Sequence, residues 1–415
     1  MARAINRRTI LKGTAAGAAL ASLPWGRAAL AESKPVKVGL LTVLTGPLAQ
    51  GGIQMKEGVV AFMKDKNYTL AGRKVDLIIG DTGGNPAGAK AKTQELVERD
   101  HVDFIIGPLA AFEMIAISDY VARHKVPLLC LAGADNMTQR TPNPYFIRAS
   151  ATASQCGFPL ADYVRKEMKL SRMDTIVEDF AFGYEQEGGF QLVFTAEGGT
   201  IAKRLWTPIQ TPDYTPYLAQ ISDVDGVWQG FAGSNPINFM KQYAAFGLKK
   251  KYPVVGGWTA FDDALLPSFG NDAVGAVSGA FYSVSYDSPS NNHFVELLLR
   301  ETHKTPGGYA AGCYINGMCV EAALEKLDGN TSSPEKTIAA LRSLSFKDSP
   351  RGPFHFDHFG NVVGNVFIRR LERKNGKLVN TIVKTYPNVS QFWTYNEKAY
   401  LATPLFSRNK VPAKI

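Results

Sequence analysis

The sequence predicts an α/β protein built from two Rossmann-like three-layer lobes joined by a multi-crossing hinge. After residue 31, apolar runs of strand length alternate with Gly-rich turns and amphipathic segments of helical length. This alternation is typical of βαβ units, in which helices cover both faces of a parallel sheet. The series occurs twice without a low-complexity linker between the copies, and a length of 415 residues fits two domains.

The first series of elements predicts the N-terminal lobe. Its apolar runs predict strands, and the amphipathic stretches between them predict helices. The predicted strands are 36–44, 74–80, 102–106 and 126–132, and the predicted helices are 55–64, 86–99 and 112–124.

The second series repeats this pattern and predicts the C-terminal lobe. Its strands are expected at 175–180, 201–206, 226–231 and 253–257, and its helices at 154–170, 184–197, 214–221, 236–246 and 262–266. Two long helices, 291–303 and 309–327, are expected to return the chain to the first lobe. The stretch 354–383 is strand-rich, and Asn375-Gly376 is a hairpin-turn signal.

These elements divide the chain into a segment 1–31, an N-terminal lobe of 32–150 plus about 284–350, and a C-terminal lobe of 151–283 plus about 351–400. Open parallel sheets bind ligands outside the carboxyl ends of their strands. Several crossings between two such lobes make a hinge, so we expect a ligand cleft between the lobes.

The N-terminal segment 1–31 has the pattern of an export signal. Basic residues precede the apolar stretch 13–23, and no acidic residue occurs before Glu32. The run 6–12 resembles the twin-arginine consensus, and 29–31 supplies a small-x-small cleavage pattern. A membrane anchor is the alternative, but Pro24 and Arg27 keep the apolar stretch below the ~20 residues that a spanning helix needs. We therefore expect cleavage after Ala31 and a periplasmic protein.

Composition limits the remaining function classes. Loss of the five basic residues in the signal lowers the formal net charge from +9 to +4, and the remaining basic residues are dispersed, which argues against a nucleic-acid partner. No later apolar run reaches spanning length, so we expect no membrane span in the mature chain. The four cysteines have no histidine beside them, so we expect buried thiols and no metal site, with their pairing left open.

Enzyme motifs are absent from the sequence. It contains no Gly-x-Ser-x-Gly, no His-Glu-x-x-His, no phosphate loop ending in Gly-Lys-Ser/Thr, and no Gly-x-Gly-x-x-Gly after the first strand. None of the six histidines falls on a strand-end loop of the expected cleft. We therefore expect neither catalysis nor a cofactor.

An ordered set of short motifs spans the chain after the signal, at 37–41, 44–52, 81–86, 106–108, 145–148, 182–184, 246–248, 309–314 and 351–361. Together they resemble the branched-chain amino acid binding proteins of ABC transporters, which have the type I periplasmic binding protein fold. The resemblance implies three interlobe crossings, closure of the lobes on a small ligand, and a membrane permease as partner. We expect a monomer.

The resemblance also places the ligand. In this family, hydroxyls and N–H groups of the first lobe hold a carboxylate, and an acidic residue of the second lobe holds an ammonium. The first-lobe positions here are Ala111, Phe112, Ala134 and Asp135, of which Ala111 offers only its N–H. The acidic position aligns with Trp258, which carries no charge for an ammonium.

These substitutions, with Gly51 in place of a frequent aromatic residue, favour an aromatic acid or related compound. Aromatic side chains expected to form a slot are Phe112, Phe182, Tyr184, Phe231, Trp258 and Phe261, and the expected hydrogen-bond donors are Ser234 and Asn235. Four alternatives stay open. Phe182 and Phe231 belong to the core; Asp135 is a turn cap; the ligand is an amino acid or amide of the branched-chain type, with Asp135 or Glu185 pairing with an ammonium; or the chain is a ligand sensor.

Overall fold

A computed structural model describes residues 34–412 and 415, and two sheets with helices on their faces organise that part of the chain. The predicted signal, 1–31, lies outside the described residues. The α/β fold with two lobes is confirmed. Across the described ranges, no helix has the length and apolar character that a bilayer crossing requires.

The strands follow the apolar runs of the sequence. Several are buried from end to end, as expected for sheets covered on both faces. They are β1 Val36–Thr42, β2 Thr69–Leu70, β3 Arg73–Asp81, β4 Phe104–Ile106, β5 Leu128–Cys130, β6 Phe146–Arg148, β7 Arg172–Glu178, β8 Thr200–Thr207, β9 Gly226–Gly230, β10 Val254–Gly256, β11 Val277–Ala280, β12 Ser345–Phe346, β13 Phe354–Phe356, β14 Val362–Lys374 and β15 Lys377–Val389.

The α-helices fill the intervals between most of these strands, and short 3₁₀ turns follow β5 and β10. They are α1 Ala49–Asp65, α2 Pro86–Gln94, α3 Ala111–His124, α4 Gly157–Lys166, α5 Ala181–Ala196, α6 Thr215–Leu218, α7 Asn235–Ala245, α8 Pro289–Thr302, α9 Gly308–Lys326, α10 Pro334–Arg342 and α11 Glu397–Ala402.

The two sheets repeat one topology. The first has the order β2-β3-β1-β4-β5-β6, and the second contains the order β8-β7-β9-β10-β11. If the parallel strands of each lobe are numbered separately, both orders read 2-1-3-4-5, which is a doubly wound arrangement. The second sheet continues through antiparallel β14, which pairs with β13 and β15. The predicted turn at Asn375-Gly376 is confirmed: both residues have positive φ between β14 and β15.

Helices α8, α9 and α10 contribute side chains to the same apolar core as α1 and the first sheet. The chain therefore passes between the lobes after β6, after β11 and before β12, which pairs with β13 in the second sheet. Arg148 lies buried at the first passage, where its guanidinium donates to the carbonyl of Ala132 over 2.9 Å and to Oδ1 of Asn361 over 3.0 Å. Arg351 lies buried between β12 and β13, and donates to the carbonyl of Ala149 over 2.6 Å.

Candidate functional site

A narrow pocket with a cavity volume of about 20 Å³ lies where the carboxyl ends of the strands of both sheets meet. This volume is well below the ~300–1,000 Å³ typical of small-molecule sites, so the wall side chains must shift when a ring enters. The first lobe contributes loops after its strands and the start of α9, and the second lobe contributes loops after β7, β9 and β10. The wall residues are Leu48, Leu109, Ala110, Ala111, Leu131, Gly133 and Tyr309 from the first lobe, and Phe180, Phe182, Ala232 and Trp258 from the second.

One wall of the pocket is the N-terminus of α3. The carboxylate of Glu113 accepts the N–H of Ala110 over 3.1 Å, which caps one of the donors at this helix end. No acceptor for the N–H groups of Ala111 or Phe112 occurs within 34–412 or at 415. A helix start with free N–H groups attracts an anion. This part of the wall therefore suits a carboxylate.

Aromatic rings form the opposite wall around Trp258. The Trp258 ring centre lies 5.0 Å from that of Tyr309, 5.2 Å from that of Phe281 and 6.2 Å from that of Phe182. These separations are typical of tilted and edge-to-face contacts. The indole N–H is buried and has no hydrogen-bond partner among the described residues. The wall thus offers flat apolar surface with one free donor.

Buried Arg369 on β14 positions the loop that carries Trp258. Its guanidinium donates to the carbonyl of Phe261 over 3.2 Å and to the carboxylate of Asp263 over 3.1 Å. The hydroxyl of Thr259 donates to the carbonyl of Phe231 over 2.7 Å, which ties the same loop to the end of β9. These contacts hold the indole against the pocket from behind.

The lobes contact each other directly beside the pocket. Oδ2 of Asp262, from the second lobe, accepts the N–H of Gly308 at the start of α9 over 2.6 Å. A carboxylate at a helix N-terminus is stabilised by the helix dipole. Gly233, after β9, approaches Pro47 so closely that an added Cβ would lie 2.2 Å from the Pro47 carbonyl oxygen. The structure is therefore a closed form.

Of the predicted site residues, Ala111, Phe182 and Trp258 lie on the pocket wall. Phe112 is half-buried beside the wall, with its ring centre 5.7 Å from that of Phe180. Ala134 follows the wall residue Gly133, and its carbonyl accepts a hydrogen bond from Arg148.

Five further predicted residues do not line the pocket: Tyr184, Phe231, Ser234, Asn235 and Phe261. Tyr184 faces away, with its ring centre 5.1 Å from that of Trp206. Phe261 is buried in the second-lobe core against Phe269, and Phe231 is in the same core. Ser234 is solvent-exposed. The amide of Asn235 donates to Glu178 over 2.6 Å and to the carbonyl of Ile209 over 2.8 Å.

Asp135 and Glu185 form a buried acidic pair across the two lobes. The N–H of Asp135 donates to Oε2 of Glu185 over 3.0 Å, and the N–H of Ser154 donates to Oδ1 of Asp135 over 3.3 Å. Burial raises the pKa of both carboxyls, and the nearby Asp135 charge raises that of Glu185 further. Neither side chain is part of the pocket wall.

Gly51 and Gly52 have different roles. A Cβ on Gly51 would lie 3.0 Å from Leu109 and 3.1 Å from Tyr309, so these two wall residues occupy the space of the missing side chain. A Cβ on Gly52 would lie 1.8 Å from the carbonyl oxygen of Val43, so Gly52 permits close packing of α1 on the first sheet.

The sequence did not single out Phe180 or Tyr309 as site residues. Tyr309 follows Gly307-Gly308 at the start of α9, and the family-like motif at this point was a signal for it. Phe180 comes two residues after β7, and a strand end in a parallel sheet is where a ligand contact is expected.

The two sheets and the pocket between them define a two-lobed α/β binding protein for a small molecule. Comparison with known sequences agrees with this class. The profile of the family described as "Periplasmic binding protein" matches residues 35–377, and the chain belongs to this family. Residues 4–24 match the twin-arginine translocation pathway signal sequence, so the protein is exported to the periplasm by that route.

Relatives and solved structures extend the comparison. The chain is 29% identical over 375 residues to the Leu/Ile/Val-binding protein homolog 6 of Brucella suis, a match that covers 86% of this chain and 93% of the relative. A solute-binding protein of an ABC transporter from Rhodopseudomonas palustris BisB5, in complex with 3,4-dihydroxybenzoic acid, is 31% identical with a TM-score of 0.82, and the match covers 86% of this chain and 98% of that chain.

A second R. palustris solute-binding protein, in complex with benzoate, is 26% identical with a TM-score of 0.79, and the match covers 84% of this chain and 96% of that chain. These matches extend over nearly the full length of the other proteins. The chain is therefore a substrate-binding protein of the ABC transporter type.

Proposed function

We propose that this protein captures a monocyclic aromatic acid in the periplasm and delivers it, as a monomer, to the membrane permease of an ABC importer. The observation that carries the proposal is the pocket itself: free N–H groups at one end, and the rings of Phe182, Trp258 and Tyr309 around a narrow space. A carboxylate fits the first feature and a benzene ring fits the second.

The binding partners of related proteins support this proposal. Two similar solute-binding proteins hold benzoate or 3,4-dihydroxybenzoic acid. A branched-chain amino acid is the second candidate, because a relative is named for leucine, isoleucine and valine. The position of Trp258 argues against it, since an indole leaves the ammonium of an amino acid unpaired. The residues that line the pocket include no histidine, cysteine, serine or lysine, so we propose binding without catalysis.

A thermal-shift panel tests the ligand class. Benzoate and hydroxybenzoates are expected to raise the Tm of the mature protein, because a ligand that binds only the folded state stabilises it by about 2.7 kcal/mol at one hundred times its Kd. Leucine, isoleucine and valine are expected to leave the Tm unchanged. A clear response to leucine with no response to any aromatic acid would overturn the ligand assignment.

A further inference from the structure

Glu178 is a buried carboxyl that lies directly behind the pocket wall. It ends β7, two residues before Phe180 and four before Phe182, both of which line the pocket. The N–H of Ala232, another wall residue, donates to Oε1 of Glu178 over 3.4 Å. The amide of Asn235 donates to the same oxygen over 2.6 Å. Contacts with the wall therefore hold the carboxyl in a fixed orientation.

The other carboxyl oxygen of Glu178 is unused. Oε2 is buried and has no hydrogen-bond partner in the described part of the chain. An unpaired buried carboxyl oxygen carries a desolvation penalty that nothing offsets, so such groups are rare without a function. Burial and then the Glu178 charge raise the pKa of Tyr214, and its hydroxyl also has no hydrogen-bond partner among the described residues.

Glu178 belongs to the second-lobe side of the pocket. Ala232, whose N–H donates to Glu178, is part of the second-lobe wall, whereas the N-terminus of α3 is part of the first-lobe wall. Burial raises the pKa of the wall residue Tyr309, and the charges of Asp262 and Glu178 raise it further, so the Glu178 charge acts on the pocket wall. A ligand whose carboxylate binds at α3 therefore extends toward the second-lobe wall, behind which Glu178 lies.

We propose that Glu178 selects aromatic acids that carry a ring hydroxyl, with the hydroxyl donating to Oε2 of Glu178. This inference rests on the proposed function and names the ligand class within it. Above neutral pH the carboxyl is ionised, because burial raises its pKa only to about 7. A hydrogen bond from a phenol to a carboxylate is charge-assisted and shorter than a neutral one. A ligand without the hydroxyl leaves the buried carboxylate unpaired as before, so its binding lacks this stabilising contact.

Calorimetric titration of the mature protein at about pH 8 tests the inference with benzoate, 3- and 4-hydroxybenzoate, and the matching fluorobenzoates. Fluorine resembles a hydroxyl in size but donates no hydrogen bond. The better hydroxybenzoate is expected to bind at least about tenfold more tightly than benzoate and its fluoro analogue. Equal affinities in the unmodified protein would overturn the inference without any variant.

The variant Glu178→Gln keeps an oxygen for Asn235 but removes the acceptor for the ligand hydroxyl. It is expected to reduce the hydroxyl preference to less than about threefold. Asp174→Asn is the matched control, because Asp174 is a buried carboxyl on the same strand whose two oxygens have no partner in the described chain and which does not line the pocket. This control is expected to keep the preference.

A preference that survives in Glu178→Gln would show that another group reads the hydroxyl and would overturn the inference. If no aromatic acid binds the unmodified protein, the proposed function fails as well. If aromatic acids bind with no hydroxyl preference, only the inference fails.

Discussion

Replacing Gly233 with alanine is expected to prevent full closure of the two lobes. The Cβ added by this substitution would lie 2.2 Å from the carbonyl oxygen of Pro47 on the opposite lobe, whereas a carbon and an oxygen in contact are normally ~3.3 Å apart or more. The lobes must therefore separate locally by about 1 Å. This contact involves backbone on both lobes, so side-chain rotation cannot relieve it.

Incomplete closure is expected to weaken ligand binding, because the ligand loses contacts with the pocket wall. A gap of 0.5–1 Å forfeits a quarter to a half of the dispersion energy between facing atoms. We expect the lost contacts to cost about 1–2 kcal/mol of binding free energy, which corresponds to roughly five- to thirtyfold in Kd. Titration calorimetry with the best ligand of the thermal-shift panel measures this change.

The Gly233→Ala substitution also strains the backbone at residue 233, and this effect must be distinguished from the clash with Pro47. Gly233 has φ +62°, a region in which alanine costs about 1–2 kcal/mol of folding stability. Gly270→Ala is the matched control, because Gly270 has φ +63° and an added Cβ there would meet no atom within 4 Å. Both variants are expected to lose similar stability, and only Gly233→Ala to lose affinity. Equal Kd values for the two variants would refute the closed form as the binding form.

Two further predictions concern pocket groups. Trp258→Ala should weaken binding of the aromatic acid by about 2 kcal/mol or more. Trp258→Phe should weaken it by less, because phenylalanine keeps a ring on the wall. If calorimetry shows unchanged affinity in Trp258→Ala, the indole is not part of the binding site. Burial raises the pKa of Glu178 to about 7, so the folded state holds its proton more tightly than the unfolded state does. Relative to Glu178→Gln, the unmodified protein should therefore lose about 2–3 kcal/mol of unfolding free energy between pH 5 and pH 8; denaturant titrations with a constant difference would contradict this.

The sequence predicted the two lobes because alternating apolar and amphipathic segments determine parallel α/β units. The last parallel strand of the second sheet, Val277–Ala280, was missed, since its small residues give a weak apolar run. Strand β6 was also not predicted as a strand, because the charged residue Arg148 ends its short apolar run. Short strands of this kind are defined by their neighbours in the sheet, which a local pattern does not reveal.

The site was predicted in part. Phe182 and Tyr184 are two residues apart on α5, which is about 200° of rotation, so only one of them can face the pocket. This difference between Phe182 and Tyr184 could therefore have been predicted from helix geometry alone. Phe261 was beyond local reasoning: its ring lies over Gly256, where an added Cβ would be 2.9 Å from it, so the glycine leaves room for the ring in the core.

The partner of Asn235 could not be read from the chain either. It bonds to Glu178, 57 residues away, and only the folded sheet brings the ends of β7 and β9 together. The same hydrogen bond identifies Glu178 as a residue close to the pocket wall, although no sequence motif pointed to it. Pocket groups that depend on strand order are therefore the ones that the sequence leaves undetermined.

A crystal structure of the mature protein with a bound hydroxybenzoate would show whether the aromatic acid occupies the interlobe pocket. We expect electron density for the ring between Trp258, Phe182 and Tyr309, with the carboxylate within about 3 Å of the N–H groups of Ala111 and Phe112. Density for the acid outside the interlobe pocket, or a carboxylate that points away from the start of α3, would contradict the proposed function.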